Sequence, residues 1–118
     1  MGTFFQTIEI AASLSGPFEA IEVLVDTGAS YTWIPSPALS RLDTVPLFRE
    51  QFILADGSII EREATQIVVR LKDRSLFTIC IYGDEGSMPL LGAVTLEEFG
   101  LGVDPINKRL IRVPLYLV

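Results

Sequence analysis

The sequence contains no histidine. That removes Ser-His and Cys-His nucleophilic mechanisms and the usual zinc ligands. Cys80 is the one cysteine, so no disulfide forms within the chain. It lies in the apolar run Phe77 to Tyr82, where a buried, inert thiol is the expected state rather than a nucleophile. There is no basic cluster. Nine Lys and Arg stand against 15 Asp and Glu, a net charge of -6, which disfavours nucleic acid as a partner. No apolar run approaches the roughly 18 residues of a membrane span. Met1-Gly2-Thr3-Phe4 shows no charged leader or apolar h-region, and Gln6 stands where a myristoylation signal wants Ser or Thr. These absences lead to the expectation of a soluble, cytoplasmic protein with no membrane partner, no metal and no cofactor.

What the chain has in quantity is apolar residues. They make up 49% of the sequence, and the mean hydropathy is positive. At 118 residues the expectation is one domain covering 1–118. A small domain has much surface and few polar residues here to cover it. The composition therefore points to a second surface buried against a partner.

The chain is organised around Asp26-Thr27-Gly28-Ala29-Ser30. The run before it, Ile21 to Val25, is short, apolar and β-branched, and reads as a strand. A second apolar run, Tyr31 to Ile34, follows and is closed by Pro35. An acid thus stands at the mouth of a tight loop between two strands. Gly28 permits close backbone approach, and Thr27 supplies a hydroxyl that can donate and accept. Asp, Thr and Gly are also ordinary turn residues, and an Asp at a strand end often just bonds its own backbone. The apolar flanks Val25 and Ala29, with Trp33 nearby, make this a costly place for a turn with no other use.

The remaining elements follow from periodicity and breakers. Phe4 to Ala12 and Phe18 to Val25 read as paired strands around Ser13-Leu14-Ser15-Gly16-Pro17. Pro35 to Leu42 reads as a short helix capped by Ser36, with Pro37 at the first helical position. Gln51 to Val69 reads as a long hairpin, with Asp56-Gly57 as a two-residue type I′ turn. Lys72 to Ser75 is the next turn, and Leu76 to Tyr82 the next strand. Thr95 to Phe99 reads as a helix with a Thr95–Glu98 capping box, closed by Gly100. Leu110 to Val118 reads as a strand, which Pro114 confines to an edge or a bulge. Many short strands and little helix predict an all-β, barrel-like domain.

Asp26-Thr27-Gly28-Ala29 after an apolar strand resembles the active-site loop of retroviral-like, single-domain aspartic proteases. Pro89-Leu90-Leu91-Gly92, a short helical stretch and Leu101-Gly102-Val103-Asp104 resemble that family's apolar-apolar-Gly segment and the helix after it. Phe52 to Ile60 resembles its flap hairpin. The resemblance implies a closed, partly barrelled, retropepsin-like fold with a flap and one short C-terminal helix. It implies peptide hydrolysis, with Asp26, Thr27 and Gly28 as catalytic residues. Ala29, Ser30, Leu54, Ala55, Asp56, Gly57 and Ser58 are then the substrate-binding set. The chain is too short for the two-lobed form, in which each lobe brings one acid.

No second Asp-Thr-Gly or Asp-Ser-Gly is present. Asp56-Gly57-Ser58 and Asp84-Glu85-Gly86 do not follow apolar strands as Asp26 does. The simplest source of a second acid is Asp26 of a second copy across a two-fold axis. The resemblance implies the same homodimer, with Thr27 of each loop reaching the other loop's backbone and the terminal strands interleaved. Two departures stand out. Ser30 replaces the family's usual Asp and Ala93 its usual Arg; those two pair in relatives, and here both are absent together, so no charge is left alone. No flap aromatic is expected, since Leu54, Ala55 and Ile59 are aliphatic. The alternative function is a catalytically silent β-domain that dimerises or binds extended peptide. A secreted inhibitor or toxin is disfavoured by the single cysteine.

Overall fold

The computed structural model describes residues 3–115 and 117. β1 (Phe5–Ala11) and β2 (Glu19–Val25) form the first antiparallel hairpin, in register from Phe5↔Leu24 to Ile10↔Glu19. Ile8, Ile10, Val23 and Val25 point inward and are buried, the two-residue period of strands with one wet face. β3 (Thr32–Pro35) runs without a break into α1 (Ser36–Arg41), and Pro35 is the helix N-cap. Ser36 is therefore already inside the helix. It does not cap; its hydroxyl donates to the Gly83 carbonyl at 2.8 Å and ties the helix start to a neighbouring strand.

β4 (Phe48–Ile53) and β5 (Ile59–Leu71) form the long hairpin, paired from Phe48↔Ala64 to Ile53↔Ile59. β5 is 13 residues long and serves two purposes. Its first half pairs only with β4 and projects as a flap. Its second half pairs with β6 (Arg74–Gly83) and with β1. The chain continues through β7 (Leu90–Leu91), α2 (Ala93–Glu98), β8 (Leu101–Asp104) and β9 (Arg109–Arg112). The large sheet has the order β1-β2-β7-β3-β6-β5-β4, and β5 pairs back to β1, so the sheet closes on itself with β4 outside the ring. β8 and β9 form a separate two-stranded sheet. The expected closed, barrel-like β fold is what the chain adopts.

The inside of the ring is one apolar cluster, in which Ile10, Ile34, Leu39, Ile67, Leu91 and Phe99 are fully buried. Burying Phe99 alone is worth about 2–3 kcal/mol and fixes α2 against the sheet. Cys80 is among the buried residues, and burial pushes its thiol well above the ordinary cysteine range, as expected of an inert side chain. No helix among the described residues is long and apolar enough to cross a membrane.

Three local expectations are corrected. The flap turn is not type I′: Gly57 has φ of +87°, but Asp56 is not among the positive-φ residues. Gly57 N–H donates to Leu54 O at 2.9 Å and Leu54 N–H to Ser58 O at 2.8 Å. This is a three-residue loop that needs one left-handed residue instead of two. The two-residue turn with both φ positive lies at Lys72 and Asp73, where Leu71 pairs with Arg74. Second, the helix at Thr95 begins earlier, at Ala93, with Gly92 as N-cap and no capping box. Third, the last strand stops at Arg112, before Pro114, and Val113 N–H makes one further bond to Gly100 O at 3.0 Å. Tyr116 and Val118, at the end of the expected strand, lie outside the described residues.

Candidate active site

The acid loop is built from β2 and β7. Leu24 N–H donates to Pro89 O at 2.9 Å and Asp26 N–H to Leu91 O at 3.0 Å, so the strand end is held before the loop begins. Asp26 Oδ1 then accepts Gly28 N–H at 2.9 Å, and Asp26 O accepts Ala29 N–H at 3.2 Å. The carboxylate is fixed by its own loop, as in an ordinary Asx turn. Asp26 is half-buried, while Thr27 and Gly28 are exposed. A Cβ on Gly28 would sit 3.2 Å from Asp26 Oδ1 and press on the carboxylate.

A second loop locks the first. Ala93 N–H donates to Ala29 O at 2.8 Å and Val94 N–H to Ser30 O at 2.9 Å. Gly92 N–H donates to Thr32 Oγ1 at 3.1 Å. Gly92 crosses directly over the chain at Tyr31. A Cβ there would lie 3.0 Å from Ala29 O and closer still to the Tyr31 carbonyl. The two loops that carry Ser30 and Ala93 are therefore joined through backbone bonds, each of these residues to a neighbour of the other. Gly92→Ala should destabilise the protein by about 1–3 kcal/mol, because backbone cannot yield as a side chain can. A denaturant midpoint equal to wild type would show that the two loops are not locked together.

Asp26 borders two clefts. The first, about 480 Å³, is walled by Asp26, Gly28, Ala29, Ser30, Trp33 and Leu90 below and by Gln51, Phe52, Ile53 and Leu54 of the flap above. The second, about 430 Å³, lies on the other side and is bordered by Thr3, Val25, Asp26, Thr27, Gly28, Val103 and Pro105. A larger cleft of about 590 Å³ lies away from Asp26, against β1, where Arg70 and Glu9 close a pair at 2.9 Å. Of the residues singled out from the sequence, Asp26, Gly28, Ala29, Ser30 and Leu54 meet on the flap-side cleft, and Thr27 borders the other. Ala55, Asp56, Gly57 and Ser58 form the exposed flap tip. There Asp56 Oδ1 accepts from Ser58 Oγ at 2.6 Å and Ser58 N–H at 2.8 Å. The Ser58 hydroxyl, then its amide, hold the Asp56 carboxyl below the usual carboxylate range.

The flap does carry an aromatic. Phe52 packs against Trp33 with ring centroids 4.9 Å apart at 56°, and against Tyr31 edge-on at 6.5 Å and 89°. This corrects the expectation of a purely aliphatic flap. Phe52 and Leu54 share one strand parity, a signal that counting only the turn residues passes over. Val103 belongs to a segment of the resemblance, but nothing in the sequence sets it or Pro105 on a cleft beside Asp26, because only the fold brings this stretch next to the acid loop. Among the described residues no group of three or more Asp, Glu, Cys and His stands close enough to hold a metal ion.

No protein-family model matches the sequence. Solved structures do. The EIAV protease bound to the inhibitor HBY-793 superposes with a TM-score of 0.61 at 21% identity, over 97% of this chain and 92% of that one. A retropepsin-like aspartic protease from Rickettsia conorii gives a TM-score of 0.56 at 21% identity, over 87% and 88%. A Legionella pneumophila protein of unknown function gives 0.55 at 13% identity, over 91% and 92%. The chain has a retropepsin-like fold.

Proposed function

We propose that this chain is an aspartic endopeptidase that works as a homodimer, with one water held between Asp26 of each copy. The observation that carries the proposal is the place of Asp26, on the floor of a cleft roofed by the flap and walled by Trp33, Phe52 and Leu90. The lining of that cleft suits an extended peptide with apolar side chains. β4 supports this, since it pairs only with β5 and leaves its other edge open among the described residues.

The chemistry needs two carboxylates. One, ionised, takes a proton from the attacking water; the other, protonated, donates to the carbonyl oxygen. Each chain offers one such acid, so the second comes from a second copy. The cleft bordered by Thr27, Val103 and Pro105 opens from Asp26 away from the flap and leaves room for that copy's loop. Thr27, exposed in one chain, is then the residue that reaches across. Two ionised carboxylates about 3 Å apart would repel by roughly 5 kcal/mol at an effective dielectric of about 20. The pair therefore holds one shared proton and titrates as a unit.

That shared proton sets the pH dependence. Raising the pH removes it and leaves two like charges with no acid to donate, so cleavage should be fastest below neutral pH and fall above it. The test is hydrolysis of a denatured protein between about pH 4 and 8. A flat rate over that range would argue against a dyad. Peptide bound in the same cleft with no cleavage at any pH would decide for the silent binding module.

A further inference from the structure

We propose that Glu98 is a positioning residue for the Asp26 loop, acting through an ordered chain of three buried threonine hydroxyls that ends on the Gly92 amide. Thr32, Thr78 and Thr95 are all buried; the other buried threonine, Thr65, donates to the Val45 carbonyl at 2.8 Å and stands apart from them. Valine would fill the same space at each position, so packing does not require the hydroxyls. They form one line. Gly92 N–H meets Thr32 Oγ1 at 3.1 Å, Thr32 Oγ1 meets Thr95 Oγ1 at 2.7 Å, Thr95 Oγ1 meets Thr78 Oγ1 at 2.8 Å, and Thr78 Oγ1 meets Glu98 Oε1 at 2.6 Å.

The ends fix the direction. A hydroxyl has one proton to give, a backbone N–H can only donate, and an ionised carboxylate can only accept. Thr78 spends its proton on Glu98, so it accepts from Thr95. Thr95 in turn accepts from Thr32, and Thr32 accepts from Gly92. Every buried hydroxyl then gives one bond and takes one. Without an acceptor at position 98 the line can reverse. Thr78 would donate to Thr95 and Thr95 to Thr32, so the Thr32 oxygen would take two donors, Thr95 O–H and Gly92 N–H, while its own buried proton lost the Thr95 oxygen as acceptor, and the bond to Gly92 would weaken. Gly92 is the residue packed on the Ala29 and Tyr31 carbonyls, and the Leu91 carbonyl before it accepts Asp26 N–H. Glu98, exposed at the end of α2, thus bears on the acid loop without touching it.

The catalytic meaning rests on the hydrolase reading; the hydrogen-bond order does not, and the test separates them. Amide hydrogen exchange at Gly92 and the Asp26 amide shift are followed by NMR in the full-length protein, beside kcat and KM. Glu98→Leu removes the acceptor and should speed Gly92 exchange about tenfold or more. It should also move the Asp26 amide and lower kcat with KM unchanged. Glu98→Gln, whose Oε1 still accepts, should restore all of these. Thr95→Val cuts the line and should reproduce the Glu98→Leu result, and adding Glu98→Leu to it should change nothing more. Thr95→Val also carries the measurement should Glu98→Leu not fold. Unchanged Gly92 exchange in folded Glu98→Leu overturns the proposal, as does faster exchange with the Asp26 amide unmoved. Additive effects of the two substitutions overturn it as well. If no variant or wild type cleaves peptide while the exchange pattern holds, the hydrogen-bond order stands and the hydrolase reading fails.

Discussion

Asp26→Asn should abolish hydrolysis while the protein stays folded. The substitution is nearly isosteric. Asn keeps a side-chain oxygen to accept the Gly28 N–H that Asp26 Oδ1 accepts at 2.9 Å, so the loop retains its internal bond. What it loses is the ionised base. General acid–base catalysis by a positioned group is worth about 100- to 10,000-fold, and both subunits of the dyad lose it together, so kcat/KM should fall at least about a thousandfold. Stability should change by no more than about 0.5 kcal/mol, since the side chain is half-buried and its hydrogen bond survives. Cleavage of a denatured protein at acidic pH and a thermal melt of the same sample check both halves. Wild-type turnover would remove Asp26 from the mechanism. A large loss of stability would make it a structural turn residue.

The strands and the acid loop were legible because they rest on short-range rules. Alternation in Ile8, Ile10, Val23 and Val25 gives the first hairpin, and the apolar run into Asp26 gives the loop. The misread positions have a common cause: a long-range contact outweighs a local preference. Thr95 and Glu98 have the spacing of a capping box. Yet Thr95 turns inward to Thr32 and Thr78, and Glu98 takes the Thr78 proton. The helix start falls to Gly92, where the crossing over Tyr31 leaves no room for any Cβ and so excludes every side-chain cap. Asp56-Gly57 looks like a type I′ pair, but the Asp56 carboxylate is used on Ser58 and only Gly57 takes positive φ. Lys72 and Asp73 take the left-handed pair instead, at about 1–2 kcal/mol per residue of intrinsic cost, somewhat less for Asp. The β5–β6 register, Leu71 against Arg74, imposes it. Phe52 was visible as a residue but not as a contact, because the loop that brings Tyr31 and Trp33 under it is 19 residues away in sequence from the Trp33 side.

Activity should require two chains and disappear on dilution. One chain carries one acid of the needed kind, so a monomer has no partner for the shared proton. The surface that would join two copies is already unusual in one. Ile111, Val113, Leu115 and Leu117 recur at every second position and are exposed, Leu115 at 74% and Leu117 at 100%. Four exposed apolar side chains so close together in sequence make a surface that small proteins ordinarily cover. Phe5, on β1, adds to the exposed apolar surface of the chain. Replacing Leu115 and Leu117 together by Glu should leave the separate chain folded, since both side chains are exposed there. It should shift sedimentation to monomer and remove turnover, with the Asp26 loop unaltered. Mixing wild type with a tenfold excess of Asp26→Asn should cut activity per wild-type chain to roughly a tenth, the share of wild-type chains that still meet each other at random. Specific activity that stays constant down to concentrations where sedimentation shows only monomer would sink the two-chain dyad, and would require a second acid from within the chain.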